Sequence, residues 1–175
     1  SNGNISNVEQ YQNASNTDSK YSIAFISDMK VDITEGNNNT LVTGNILYRD
    51  PNDPSKKDDS ITETIKLQLQ LYAIGTTPTV DGVGTVYSET QTIKLKLGTQ
   101  ELYSFSLKEL ELDKQYKVRI VSDVKTDTGN SIVSQLLSFT AGKSNSQERI
   151  PQEQDTNNST DEQYGMDCKM LEFRC

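Results

Sequence analysis

The 175-residue chain has no histidine, no tryptophan and only two cysteines. Without histidine it lacks the commonest general base and the commonest neutral metal ligand, which excludes a Ser-His-Asp or Cys-His site within this sequence. Two cysteines without histidine are too few for a structural zinc site. None of the ten glycines falls in a phosphate-loop spacing. Apolar residues make up only 33% of the chain, and mean hydropathy is -0.67. No apolar run approaches the ~20 residues that span a bilayer, so membrane insertion by a helix is not expected. Cations are also in the minority: 17 Lys and Arg against 25 Asp and Glu give a net charge of -8. Such a chain repels phosphate backbones and has no polybasic stretch, so neither nucleic acid nor an anionic membrane surface is an expected partner.

What remains is a set of alternating segments. Residues 61–74 alternate most strictly, with Ile65, Leu67, Leu69, Leu71 and Ala73 on one parity and Lys66, Gln68, Gln70 and Tyr72 on the other. A helix would need apolar residues three and four apart, so this is a strand with one buried face. Residues 21–33 place Ile23, Phe25, Met29, Val31 and Ile33 on one parity, with Ala24 and Ile26 on the other. That conflict predicts a bulge or sheet switch near Ser27-Asp28. Further strands are expected over residues 40–48, 85–90, 92–97, 102–107, 116–120 and 132–139, separated by Gly, Pro, Asn and Asp clusters. About seven to nine strands without an amphipathic helix make an all-β Greek-key sandwich.

The most informative stretch is residues 110–141. Leu110 and Leu112 precede a turn at Asp113-Lys114, and Tyr116, Val118 and Ile120 then alternate with Lys117 and Arg119. A tyrosine just after such a corner, its ring in the core and its hydroxyl bonded back to the backbone, is the tyrosine corner of Greek-key sandwiches. Together with a Gly-Asn-Ser turn and Ser-x-x-x-x-Phe-Thr-Ala, this stretch resembles the last strands of a fibronectin type III-like domain. The resemblance covers about a fifth of the chain, and the tryptophan usual on an early strand of that family is missing. A generic immunoglobulin-like sandwich fits nearly as well. The resemblance implies a recognition or spacer module and brings no catalytic residues.

Four regions follow: a flexible arm over residues 1–20, the sandwich over 21–142, a polar linker over 143–163 and a tail segment over 164–175. The arm and the linker are too poor in apolar surface to offset their ordering entropy. The tail carries Cys168 and Cys175, which can close a small loop, pair with other chains or stay as free thiols. The chain opens at Ser1 without an initiator Met or signal peptide, which fits a processed secreted protein or a fragment alike.

Other side chains have a functional and a plain reading. Asp50, Asp53 and Asp58 crowd one loop and Asp127 another, and calcium takes several such oxygen ligands. Asp and Asn also favour turns for local hydrogen-bonding reasons, and Lys56-Lys57 interrupts the first cluster. No cofactor is expected apart from that calcium reading. Tyr72, Tyr87 and Tyr103 could line an exposed face that stacks on a sugar or a partner protein. The N-x-[ST] matches at Asn4, Asn13, Asn38, Asn157 and Asn158 reflect an Asn- and Ser-rich composition. The carboxylates lie in turns and on exposed strand parities, so paired-carboxylate hydrolysis is not expected.

The resulting expectation is a non-enzymatic sandwich from an extracellular, cell-surface or virion protein such as a phage tail or fibre. It would act as a spacer or as a protein-binding or adhesion module, with a protein or a surface glycan as partner and homo-oligomers within reach. The alternative is a carbohydrate-binding module appended to a secreted enzyme, with the tyrosines as its platform.

Overall fold

The computed structural model describes residues 21–151, which form two antiparallel sheets and no helix. The first sheet holds β1 (Ser22–Phe25), β2 (Lys30–Ile33), β3 (Thr40–Arg49) and β6 (Thr99–Leu107). The second holds β4 (Asp58–Ala73), β5 (Tyr87–Leu97), β7 (Gln115–Lys125), β8 (Ser131–Val133), β9 (Leu136–Thr140) and β10 (Glu148–Ile150). In the first sheet β1 and β2 both flank β3 on one side and β6 flanks it on the other. The second runs β10-β9-β7-β4-β5, and β8 continues the line of β9 along β7. The chain crosses between layers after β3, β5 and β6, which makes the sheets two halves of one sandwich.

Alternation explains the core. Leu67, Leu69 and Leu71 of β4, Leu95 and Leu97 of β5, and Val118 and Ile120 of β7 face inward and are buried. They meet Ile23, Phe25, Val42, Ile46, Phe105 and Leu107 from the other layer. The expected irregularity near Ser27-Asp28 is a true break: β1 pairs with residues 46–49 of β3, and β2 pairs with residues 40–43. Residues 26–29 bulge between them, and the Asp28 carboxylate accepts bonds from the Asn45 backbone and side-chain amides at 3.1 and 2.7 Å.

Three segments differ from the sequence reading. Residues 85–97 form one strand from Tyr87, because the polar Glu89 and Gln91 occupy inward-parity positions at its outer end. The final strand divides into β8 and β9 at Ser134-Gln135, where the Ser134 hydroxyl accepts the Ile120 amide at 2.8 Å. The chain continues past Gly142 into β10, so residues 148–150 of the segment read as linker pair with β9. Residues 1–20 and the tail with Cys168 and Cys175 lie outside the described residues.

Side chains close the edges. On one side Gln135 Oε1 accepts the Met29 amide at 3.2 Å, and Gln147 Oε1 accepts that of Val31, so both sheets are stitched along β2. On the other side Gln91 Nε2 donates to the Ser104 carbonyl at 2.9 Å, linking β5 to β6. The β5–β6 crossover is a single tight step at Gly98 (φ 84°), where an added Cβ would lie 2.2 Å from the Lys56 carbonyl. Only glycine fits there.

Candidate functional site

The register gathers four connections at one end of the sandwich: residues 34–39, 74–86, 108–114 and 141–147. Backbone bonds tie three of them together. Gly36 N donates to Gly142 O at 2.8 Å, Asp113 N to Ala141 O at 2.9 Å, and Ala141 N to Lys114 O at 3.0 Å. The Glu35 carboxylate accepts both the amide and the hydroxyl of Ser144, at 2.8 and 2.5 Å. Those two bonds, the hydroxyl's first, hold Glu35 below the ordinary glutamate range.

Tyr116 anchors this end. Its hydroxyl accepts the Glu111 amide at 3.0 Å, and its ring stacks on Phe139 with centroids 5.7 Å apart. The corner expected from the sequence is therefore present in atomic detail. Lys114 lies over the same ring and pairs with Glu111 at 2.9 Å, which raises its pKa. Glu109 and Asp113 both adopt positive φ, 62° and 68°, as the chain bends around the tyrosine.

The fourth connection, residues 74–86, folds back over the outer face of the second sheet. Tyr72 and Gln70 point outward, as their parity requires, yet both are fully buried beneath it. The Tyr72 hydroxyl accepts the Thr79 amide at 3.2 Å and lies 3.0 Å from the Thr79 carbonyl and 2.9 Å from Gln70 Oε1. Gln70 Nε2 donates to the Val80 carbonyl at 2.9 Å, and Arg119 Nε donates to Gln70 Oε1 at 3.1 Å. The connection thus spends its polar backbone on the sheet and turns Val80, Val83 and Val86 outward, with Val83 68% exposed. Asp81 accepts the Thr79 hydroxyl and the Val83 amide, which lowers its pKa.

The tyrosines do not form a common face. Tyr72 lies under residues 74–86, and Tyr103 is buried in the first sheet against Phe25, its hydroxyl pKa raised by burial and then by Asp28. Only Tyr87 is exposed, at 43%, with its hydroxyl bonded to Glu89, a bond that raises its pKa. This corrects the expectation of a three-tyrosine platform.

The calcium candidates are dispersed too. Asp50 Oδ1 accepts the Asn52 amide at 2.9 Å, Asp53 the Ser55 hydroxyl at 3.3 Å, and Asp58 the amide and hydroxyl of Ser60 at 3.0 and 2.6 Å. These are local turn bonds, and those from Ser60, hydroxyl first, lower the Asp58 pKa. Asp127 lies exposed in the β7–β8 turn. Among the described residues no three His, Cys, Asp or Glu side chains converge as a metal site would require.

The sequence reading missed Gln70 and Arg119. A glutamine on an outward parity carries no sign that a distant loop will fold over it.

No family model matches the sequence, and no curated protein matches it. Among solved structures, a similar chain is Bacteroides uniformis beta-glucuronidase 2, covalently bound to cyclophellitol-6-carboxylate aziridine. It is 16% identical with a TM-score of 0.39, and the match spans 65% of this chain and 12% of that one.

Proposed function

We propose that the chain is a non-enzymatic, fibronectin type III-like module of an extracellular, cell-surface or virion protein, serving as a spacer or a protein-binding or adhesion module. Strand order supports the family reading. The 11-residue fifth strand β5 lies beside β4 in the sheet of β7 and β9, whereas an immunoglobulin constant domain places a fourth strand in the opposite sheet. The observation that carries the binding role is the end formed by residues 34–39, 74–86, 108–114 and 141–147. Bonding fixes these loops before any partner arrives, which reduces the ordering cost of binding. Among the described residues, the exposed apolar side chains Ile74, Val80, Val83, Val86 and Leu112 lie on these loops, and Tyr87 follows directly after residues 74–86.

Two measurements test this. An antibody against the domain should label intact cells or particles; labelling only after permeabilisation would refute the extracellular placement. Val83→Asp combined with Val86→Asp should leave thermal unfolding unchanged and reduce adhesion of the parent particle to its target surface. Unchanged adhesion would remove the loop end from the contact.

A further inference from the structure

The outer face of the second sheet has the opposite charge from the chain as a whole. Register places Thr62, Thr64, Lys66, Gln68, Gln70 and Tyr72 of β4 on that face, opposite Lys96, Lys94, Thr92, Thr90 and Ser88 of β5. On the other side of β4 the same face continues with Lys117, Arg119, Val121, Asp123 and Lys125 of β7. Across these three strands it therefore presents Lys66, Lys94, Lys96, Lys117 and Lys125 against the single acid Asp123, while Arg119 is buried and bonded to Gln70. That acid already accepts the Lys66 amide at 3.0 Å. Cross-strand positions that would ordinarily pair a lysine with a carboxylate hold threonine instead: Thr62 faces Lys96, Thr64 faces Lys94, and Thr92 faces Lys66. None of the three ion pairs among the described residues includes a lysine of this face.

Lysines on an edge strand discourage edge-to-edge pairing, which accounts for Lys94 and Lys96 on β5. It does not account for Lys66 on the central strand β4 or for Lys125 on β7. Five lysines on one face repel one another and favour an anionic occupant.

The chain supplies such an occupant. Residues 153–167 contain Glu153, Asp155, Asp161, Glu162 and Asp167 and no basic residue. They follow β10, which is the outer strand of this same sheet. Ile150 pairs with Leu136, one step from the Val118–Leu137 pair, so the chain leaves the sheet level with Arg119 and Gln70. β10 runs antiparallel to β9, toward the end where Lys66, Lys94, Lys96 and Lys125 lie. Strands spaced ~4.8 Å apart put β5 about 19 Å from β10. Some six extended residues at ~3.3 Å each cover that distance, well within the acidic segment.

We propose that residues 153–167 dock on the cationic face of β5, β4 and β7, shielding it from other polyanions until a stronger one displaces them. A tether this short gives an effective concentration on the order of millimolar, enough for a weak multi-charge contact to persist.

The test uses the full chain and a variant with Glu153→Gln, Asp155→Asn, Asp161→Asn, Glu162→Gln and Asp167→Asn. At low salt the Lys66, Lys94 and Lys96 amide resonances should differ between parent and variant. The difference should vanish near ~0.5 M salt, where screening acts over a few ångströms. Poly-glutamate, used as an external probe, should bind the variant about tenfold more tightly than the parent, because the tethered competitor is gone. Lys66→Gln with Lys94→Gln and Lys96→Gln should abolish that binding in both backgrounds. Coincident spectra at low salt would overturn the proposal. So would equal poly-glutamate affinity in parent and variant, which would mark an open face for an external polyanion. Binding that survives the three lysine changes would move the site elsewhere and equally overturn it.

Discussion

Gly44 on β3 faces the interior directly opposite Tyr103 on β6, and the tyrosine ring occupies the space a side chain would take. A Cβ added at Gly44 would stand 2.2 Å from the Tyr103 hydroxyl oxygen and 2.5 Å from Cζ. Comfortable contacts begin near ~3.5 Å, so the ring would have to retreat by on the order of 1 Å. It has no room to do so, since it is 2% exposed and held between Phe25 and Phe105 at centroid distances of 5.9 and 6.4 Å. Overpacking of this kind costs about 1–3 kcal/mol. Alanine also gives back roughly 0.5–1 kcal/mol of the backbone entropy that glycine loses in a strand. Gly44→Ala should therefore destabilise by about 1–2 kcal/mol, a drop of some 4–8 °C in Tm at roughly 4 °C per kcal/mol. The decisive assay repeats the substitution in a Tyr103→Leu background, where the obstructing hydroxyl and Cζ are gone. There the alanine should cost little, giving a coupling of at least ~1 kcal/mol in a double-mutant cycle of urea unfolding. A cost that is the same in both backgrounds would refute the ring-over-glycine packing.

Three further outcomes are expected. Deleting two of the buried tyrosine hydroxyls should act differently in chemical denaturation. Tyr116→Phe removes the acceptor of the Glu111 amide and costs about 1 kcal/mol, whereas Tyr103→Phe removes a buried hydroxyl without a partner among the described residues and is neutral or stabilising. Leu69→Ala empties a fully buried position on β4 and should cost roughly 2–5 kcal/mol; melting like the parent would contradict the strand's inward parity. Glu35 titrates below its ordinary value in the folded state, so the clasp on Ser144 is intact above about pH 4.3 and is lost as pH falls through the lower folded value. Amide exchange at Ser144 should accelerate over that acid window in the parent and not in Glu35→Gln.

The sequence displayed those strands whose partners cover them evenly. β4 and β7 were legible because one face of each lies against the opposite sheet along most of its length, and Tyr116 could be read as a corner because its partner lies five residues away. The parity conflict between Phe25 and Ile26 marked the break between β1 and β2. β5 was harder to read, since its first residues overhang the opposite sheet and Glu89 and Gln91 need not be apolar. β10 has a single apolar residue, Ile150, and its place depends on Gln147 reaching across to Val31. Tyr72 was placed on the correct face. Its burial depends on residues 79–82 folding over it, a contact between side chain and distant backbone that no local pattern encodes.

The last strand gives the sandwich a mechanical property. Through β9 the chain would leave at the end opposite the one where β1 begins, as in modules strung head to tail. β10 turns it back, held by three residue pairs and by the Gln147 bond to Val31. Tension on the chain loads this short clasp before it reaches the core. Peeling it frees residues 143–150, about 27 Å of extended chain at ~3.4 Å per residue. The linkage would then lengthen and swing to an end-to-end geometry while the sandwich itself stays folded.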